Sequence, residues 1–131
     1  MIMNVLLATD GKPHSDKAVD YGLSYAECFG ASLFIVYVAS PKAGEDRNAV
    51  IKAGMGILDA IKQKAQEKKI VVTTLLEAGN PHEATLAVAE RIKADAIIVG
   101  TSGKTMLDRA LIGSVSEYIV RNAKSTVIVV R

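Results

Sequence analysis

Along the chain, short unbroken apolar runs alternate with longer stretches whose apolar residues recur every three to four positions. Val5-Leu6-Leu7-Ala8 is the first unbroken run, ended by Asp10-Gly11, and it predicts a short strand covered on both faces. From about Pro13 to Phe29, Ala18, Gly22, Tyr25, Ala26 and Phe29 fall at helical spacing, with Gly30 as the stop. Cys28 lies near that stripe and is expected to be buried as a small hydrophobe. Leu33 to Val38 is the second strand, followed by a polar loop from Pro41 to Arg47. The next helix carries Val50, Ile51, Ile57, Leu58, Ile61 and Ala65 on one stripe, and Gly54 and Gly56 weaken it locally. Val71 to Leu76 is the third strand, and Gly79-Asn80-Pro81 turns into a helix that runs to about Lys93. Ala96 to Val99 forms the fourth strand, Ser114 to Asn122 a helix, and Thr126 to Val130 the last strand.

Strand alternating with helix predicts an α/β fold, a parallel sheet between two helical layers with right-handed crossovers. Every strand-to-helix loop then leaves at the carboxyl edge, so Asp10, Val38, Gly79 and Gly100 are expected on one rim, where open α/β sheets bind ligands. A length of 131 residues suits one domain.

Half the residues are hydrophobic and 23% are charged, which excludes a disordered, collagenous or disulfide-scaffold chain. Sixteen basic residues against fourteen acidic ones leave a formal charge of +2. The densest basic group, Lys62, Lys64, Lys68 and Lys69, reads as a solvated helix face rather than a phosphate-binding stripe, so no nucleic-acid partner is expected. One cysteine cannot close an internal disulfide, and with two distant histidines it cannot build a zinc site. The N-terminal apolar run is far too short for a signal peptide or membrane span, so a cytoplasmic protein with no membrane contact is expected.

The most informative segment is Gly100-Thr101-Ser102-Gly103, nine further residues, then Gly113-Ser114. The glycines permit close backbone approach, and a helix opening at Gly113-Ser114 would aim free N–H groups and the positive end of its dipole at a phosphate. Equally, glycine after a buried strand is ordinary turn chemistry, and Ser114-Val115-Ser116-Glu117 has the form of a capping box. Lys104 and Arg109 in the spacer could neutralise phosphate charge or be solvated. His14 and His82 follow carboxyl strand ends, but no orienting carboxylate is assignable to either, and both suit an exposed helix start.

With these pieces in view, the sequence resembles the universal stress proteins, in the branch with the G-x2-G-x9-G-[ST] nucleotide motif. Gly100, Gly103, Gly113 and Ser114 match that motif. Supporting pieces are VLLATDG at residues 5 to 11, Ala18, Gly79-Asn80-Pro81-His82-Glu83-Ala84, residues 113 to 118, and the closing Val127 to Arg131. The resemblance implies a Rossmann-like open sheet of five parallel strands ordered 3-2-1-4-5 with helices on both faces, whose switch point lies between strands one and four.

It further implies that Ala8, Thr9 and Asp10 line the ribose and adenine, that Val38 meets the adenine through its backbone, and that Val99 and Gly100 form the other wall. Gly103, Gly113, Ser114, Val115 and Ser116 would take the phosphates. Asp10 can accept from ribose hydroxyls or lie near a phosphate-bound Mg²⁺, and otherwise caps its turn. The implied ligand is ATP, with AMP or ADP as alternatives. Departures from the family pattern are Lys12 where serine is common, and Ser125-Thr126 where a Pro-containing pair often stands.

The last strand, Thr126 to Val130, would be an apolar edge that needs a partner, which the family supplies by homodimerisation. The lack of a P-loop lysine favours a regulatory module with slow or no hydrolysis. The alternatives are a slow ATP hydrolase in which Asp10 works with His14 or His82, and an interaction protein of the same fold that binds no nucleotide.

Overall fold

In a computed structural model, which describes residues 3–101 and 113–131, the five apolar runs become five parallel strands. In chain order the elements are β1 (Asn4–Ala8), a single 3₁₀ turn (Pro13–Ser15), α1 (Asp16–Phe29), β2 (Ser32–Ala39) and α2 (Arg47–Glu67). Then come β3 (Val72–Ala78), α3 (Pro81–Arg91), β4 (Ala96–Gly100), α4 (Ser114–Asn122) and β5 (Thr126–Val130). The strands are ordered β3-β2-β1-β4-β5, the order the resemblance implied.

The strands read as continuous apolar runs because both faces are covered. Val5, Leu7, Ile35 and Ile98 pack with Ala18, Leu23, Leu58 and Ile61 of α1 and α2. Leu6, Val36, Ile97 and Val99 face the other way, onto Val88 and Ala89 of α3 and Ile119 of α4. Alternation along each strand thus feeds two cores from one sheet. Local chemistry sets the helix starts. Asp46 accepts the N–H of Asn48 at the start of α2, and Asn80 accepts those of His82 and Glu83 at the start of α3, where Pro81 follows.

Several expectations need correction. Cys28 is exposed, because two residues on from buried Ala26 a helix has turned about 200°. Phe29 is 65% exposed, since α1 has run past the sheet by its last residue, and its ring lies against that of Tyr25, tilted by 45° with centroids 4.7 Å apart. The third strand starts at Val72 and extends to Ala78, leaving Val71 88% exposed. α3 ends at Arg91 rather than near Lys93, which has a φ of 55°. The capping box that the spacing of Ser114 and Glu117 allowed as one alternative does not form. The N–H of Glu117 donates to the carbonyl of Gly113 at 2.9 Å, so Gly113 is the cap and Ser114 the first helical residue. The Glu117 carboxylate takes Arg121 instead.

Candidate functional site

The sheet opens at its carboxyl edge between β1 and β4. Pairing of these two strands stops at Leu7 with Ile98. β1 continues with β2 as far as Ala8 with Val36, and β4 continues with β5 as far as Gly100 with Val130. Each strand follows its outer neighbour, which leaves a crevice at the point where the strand order reverses. Ala8, Thr9 and Asp10 border one side, with Val38 one strand further out, and Val99 and Gly100 border the other.

The loop after β1 is tied to itself by its own polar groups. The N–H of Thr9 donates to Val36 O at 3.1 Å, extending the strand by one residue. The N–H and hydroxyl of Ser15 both donate to Lys12 O, at 2.9 and 2.8 Å. With its single proton so used, Ser15 Oγ accepts from the Thr9 hydroxyl at 3.1 Å, while Thr9 Oγ1 accepts the N–H of Gly11 at 3.1 Å. Thr9 and Ser15 are buried, so the Thr9 side chain organises the loop and only its backbone borders the crevice. Gly11 has a φ of +73°, and a Cβ there would lie 2.3 Å from Ile57 Cδ1, so α2 closes over this turn.

Asp10 is half exposed and doubly engaged. Its Oδ1 accepts the N–H of Lys12 at 2.9 Å, and its Oδ2 lies 2.9 Å from Nε2 of His14, whose side chain is 27% exposed. Sequence reasoning assigned His14 no carboxylate, and the structure supplies one four residues earlier. The signal was the i, i+4 spacing of Asp10 and His14 across a turn set by Pro13. His82 is occupied differently, with Nδ1 3.1 Å from Asn80 Oδ1 and its ring edge-on to Tyr118 at 5.3 Å.

On the far side of the crevice, the buried hydroxyl of Ser116 donates to the carbonyl of Gly100. That bond fastens the first turn of α4 to the end of β4 and occupies the Ser116 side chain, leaving its backbone N–H for any ligand. The N–H groups of Ser114, Val115 and Ser116 precede the first intrahelical bond and have no partner within the helix. Gly113 sits at φ 98° and ψ 154°, a conformation open in practice to glycine alone. A Cβ on Gly100 would meet only ordinary contacts, the nearest being Ala18 Cβ at 3.5 Å. Gly103, Lys104 and Arg109 lie outside the described residues.

Among the described residues no three acidic, histidine or cysteine side chains converge to hold a metal, and no helix is long and apolar enough to cross a membrane. A recess of about 430 Å³ bordered by Gly30, Leu33, Lys69 and Ile70 lies at the amino edge of the sheet, remote from these groups.

The model of the universal stress protein family matches residues 1–131. The universal stress protein MJ0531 of Methanocaldococcus jannaschii is 34% identical, over 97% of this chain and 81% of its own. YxiE, a universal stress protein of Bacillus subtilis, is 31% identical with both chains covered in full. A universal stress protein crystallised in complex with cAMP is 26% identical and superposes with a TM-score of 0.79 over 98% of this chain and 97% of that one. A family match over the whole chain, two relatives above 30% identity and the shared sheet order agree, and the chain belongs to the universal stress protein family.

Proposed function

We propose that this chain binds an adenine nucleotide, ATP in the first place and AMP or ADP as alternatives, in the crevice between β1 and β4. The observation that carries the reading is the pairing of that opening with a helix N-terminus pinned beside it. Ser116 anchors α4 to Gly100, and Gly113 directs three amides without helical partners towards the carboxyl edge. The relative that binds cAMP supports the choice of an adenine nucleotide.

In this reading the backbone of Ala8 and Thr9 and the Asp10 carboxylate face the ribose and adenine. Val38 meets the adenine through its backbone, and Val99 and Gly100 form the opposite wall. The phosphates lie against Gly103, Gly113 and the amides of Ser114, Val115 and Ser116. Any Mg²⁺ is carried by the phosphate oxygens, with no protein ligand assigned to it. Fixed amides bind charge without a P-loop lysine to stabilise a transferring phosphoryl group, so turnover is slow or absent and occupancy is the signal. The module works as a homodimer through the β5 edge.

The test is calorimetric titration of Mg-ATP into protein shown by mass spectrometry to be free of nucleotide. Micromolar affinity with one site per chain is the expected result. Absence of heat at several temperatures, with no displacement of a fluorescent ATP analogue, rejects the reading.

A further inference from the structure

We propose that His14 is a positioning residue for the nucleotide site. It holds the Asp10 carboxylate in the orientation that accepts the ribose hydroxyls, and so sets a preference for ribonucleotides over analogues lacking both hydroxyls. The inference rests on the nucleotide reading of the same rim and adds a residue that the motif does not contain.

A carboxylate offers about four acceptor sites. On Asp10 one oxygen takes the Lys12 N–H and the other faces His14 Nε2, both at 2.9 Å, so each oxygen keeps one site free. The side chain is 47% exposed at the end of β1, beside the crevice, so those free sites are open to a ligand. Two adjacent acceptor sites match a vicinal diol, which presents two adjacent donors.

The imidazole stands on rigid ground. His14 is the middle residue of the Pro13–Ser15 turn, where Pro13 fixes one backbone angle and Ser15 is bonded twice to Lys12 O and once to Thr9. The carbonyl of His14 lies 3.8 Å from where a Cβ on Gly100 would stand, so the turn sits beside the first glycine of the motif. Without the imidazole, Asp10 is held at one oxygen only and must be ordered by the ligand itself, which lowers affinity.

Titrations of ATP and of its dideoxy analogue, which lacks both ribose hydroxyls, test the proposal in five proteins. The natural chain should prefer ATP. His14→Ala should weaken ATP about three- to tenfold, the range set by immobilising one side chain, and change the dideoxy analogue little. His14→Gln, which returns an N–H donor near the Nε2 position, should recover part of the loss. Asp10→Ala should erase the preference, and adding His14→Ala to it should change nothing further, because His14 acts through Asp10.

Equal weakening of both ligands by His14→Ala overturns the proposal and leaves a loop-stabilising role. An unchanged ATP affinity in that variant overturns it too, as does a preference that survives Asp10→Ala. If the natural chain binds both ligands equally, the proposal fails and nucleotide binding stands. If it binds neither, the nucleotide reading itself fails.

Discussion

At the scale of single residues, two glycines hold the rim for different physical reasons. Gly113 is fixed by its backbone, since φ 98° with ψ 154° is reached by other residues only under strain of about 1–3 kcal/mol. Gly113→Val should relieve that strain by turning the peptide, which misaims the amides that begin α4. The expected outcome is loss of nucleotide binding by calorimetry with an unchanged far-ultraviolet circular dichroism spectrum. Full binding in this variant would remove α4 from the site. Gly11 is fixed by both backbone and packing, because a side chain there meets Ile57 at 2.3 Å in addition to an unfavourable φ of +73°. Gly11→Ala should destabilise the fold by about 1–3 kcal/mol in urea unfolding, the range for overpacking. A second change, Ile57→Ala, removes the clash but not the φ strain and should not compound the loss. Additive destabilisation by the two changes would refute the contact.

At the scale of elements, α2 shows how far a sequence pattern reaches. Both its glycines read as local weaknesses, but the structure separates them. A Cβ at Gly56 meets nothing within 4 Å, whereas one at Gly54 would lie 2.6 Å from the Tyr37 ring and 3.0 Å from Leu76 Cδ1. Gly56→Ala should therefore stabilise the protein by about 0.5–1 kcal/mol through helix propensity. Gly54→Ala gains the same propensity but overpacks the β2–β3 face by about 1–3 kcal/mol, so its net effect should be destabilising. Denaturant midpoints for the pair check the opposite signs, and equal shifts would show that propensity alone governs the helix.

The same division runs through the whole reading. Continuous apolar runs betrayed the strands because the sheet is buried on both faces, and Asn80-Pro81 announced α3 because a cap acts locally. Strand order is a long-range property and came only with the family resemblance. The carboxyl rim followed from handedness and alternation. The Ser116 bond to Gly100, however, spans sixteen residues, and no local pattern announces it. The capping box, one of the two readings left open for Ser114, is absent for the complementary reason. Its serine and glutamate have the right spacing, but the chain enters α4 one residue earlier, at a glycine. Phe29 was misplaced because periodicity marks a stripe without showing where the sheet beneath the helix ends, and Cys28 because it lies beside that stripe and turns away from the sheet.

At the scale of the whole molecule, the proposed homodimer turns on β5. Among the described residues it pairs only with β4, at the end of the sheet, and its side chains extend both cores, Ile128 and Val130 on one face and Val127 and Val129 on the other. All four remain half-buried in the single chain. An uncharged apolar edge of this kind invites strand pairing, and a second copy about a two-fold axis covers it with the same surface on both sides. Successive N–H groups along β5 point alternately towards β4 and away from the sheet. Proline at Ile128 and proline at Val129 therefore remove one donor on each side of the strand. Sedimentation should show the natural chain as a dimer. One of the two variants should be folded and monomeric, because it loses a donor only at the free edge. The other should lose stability within its own sheet. A natural chain that sediments as a monomer at micromolar concentration, or two variants that remain dimeric, would place the interface elsewhere. The strands β1 and β4 that flank the crevice belong to one chain, so on the proposed reading the monomeric variant should still bind ATP. If it does not, the dimer contact and the crevice are coupled, and occupancy of the site would then shift the association equilibrium by the same free energy.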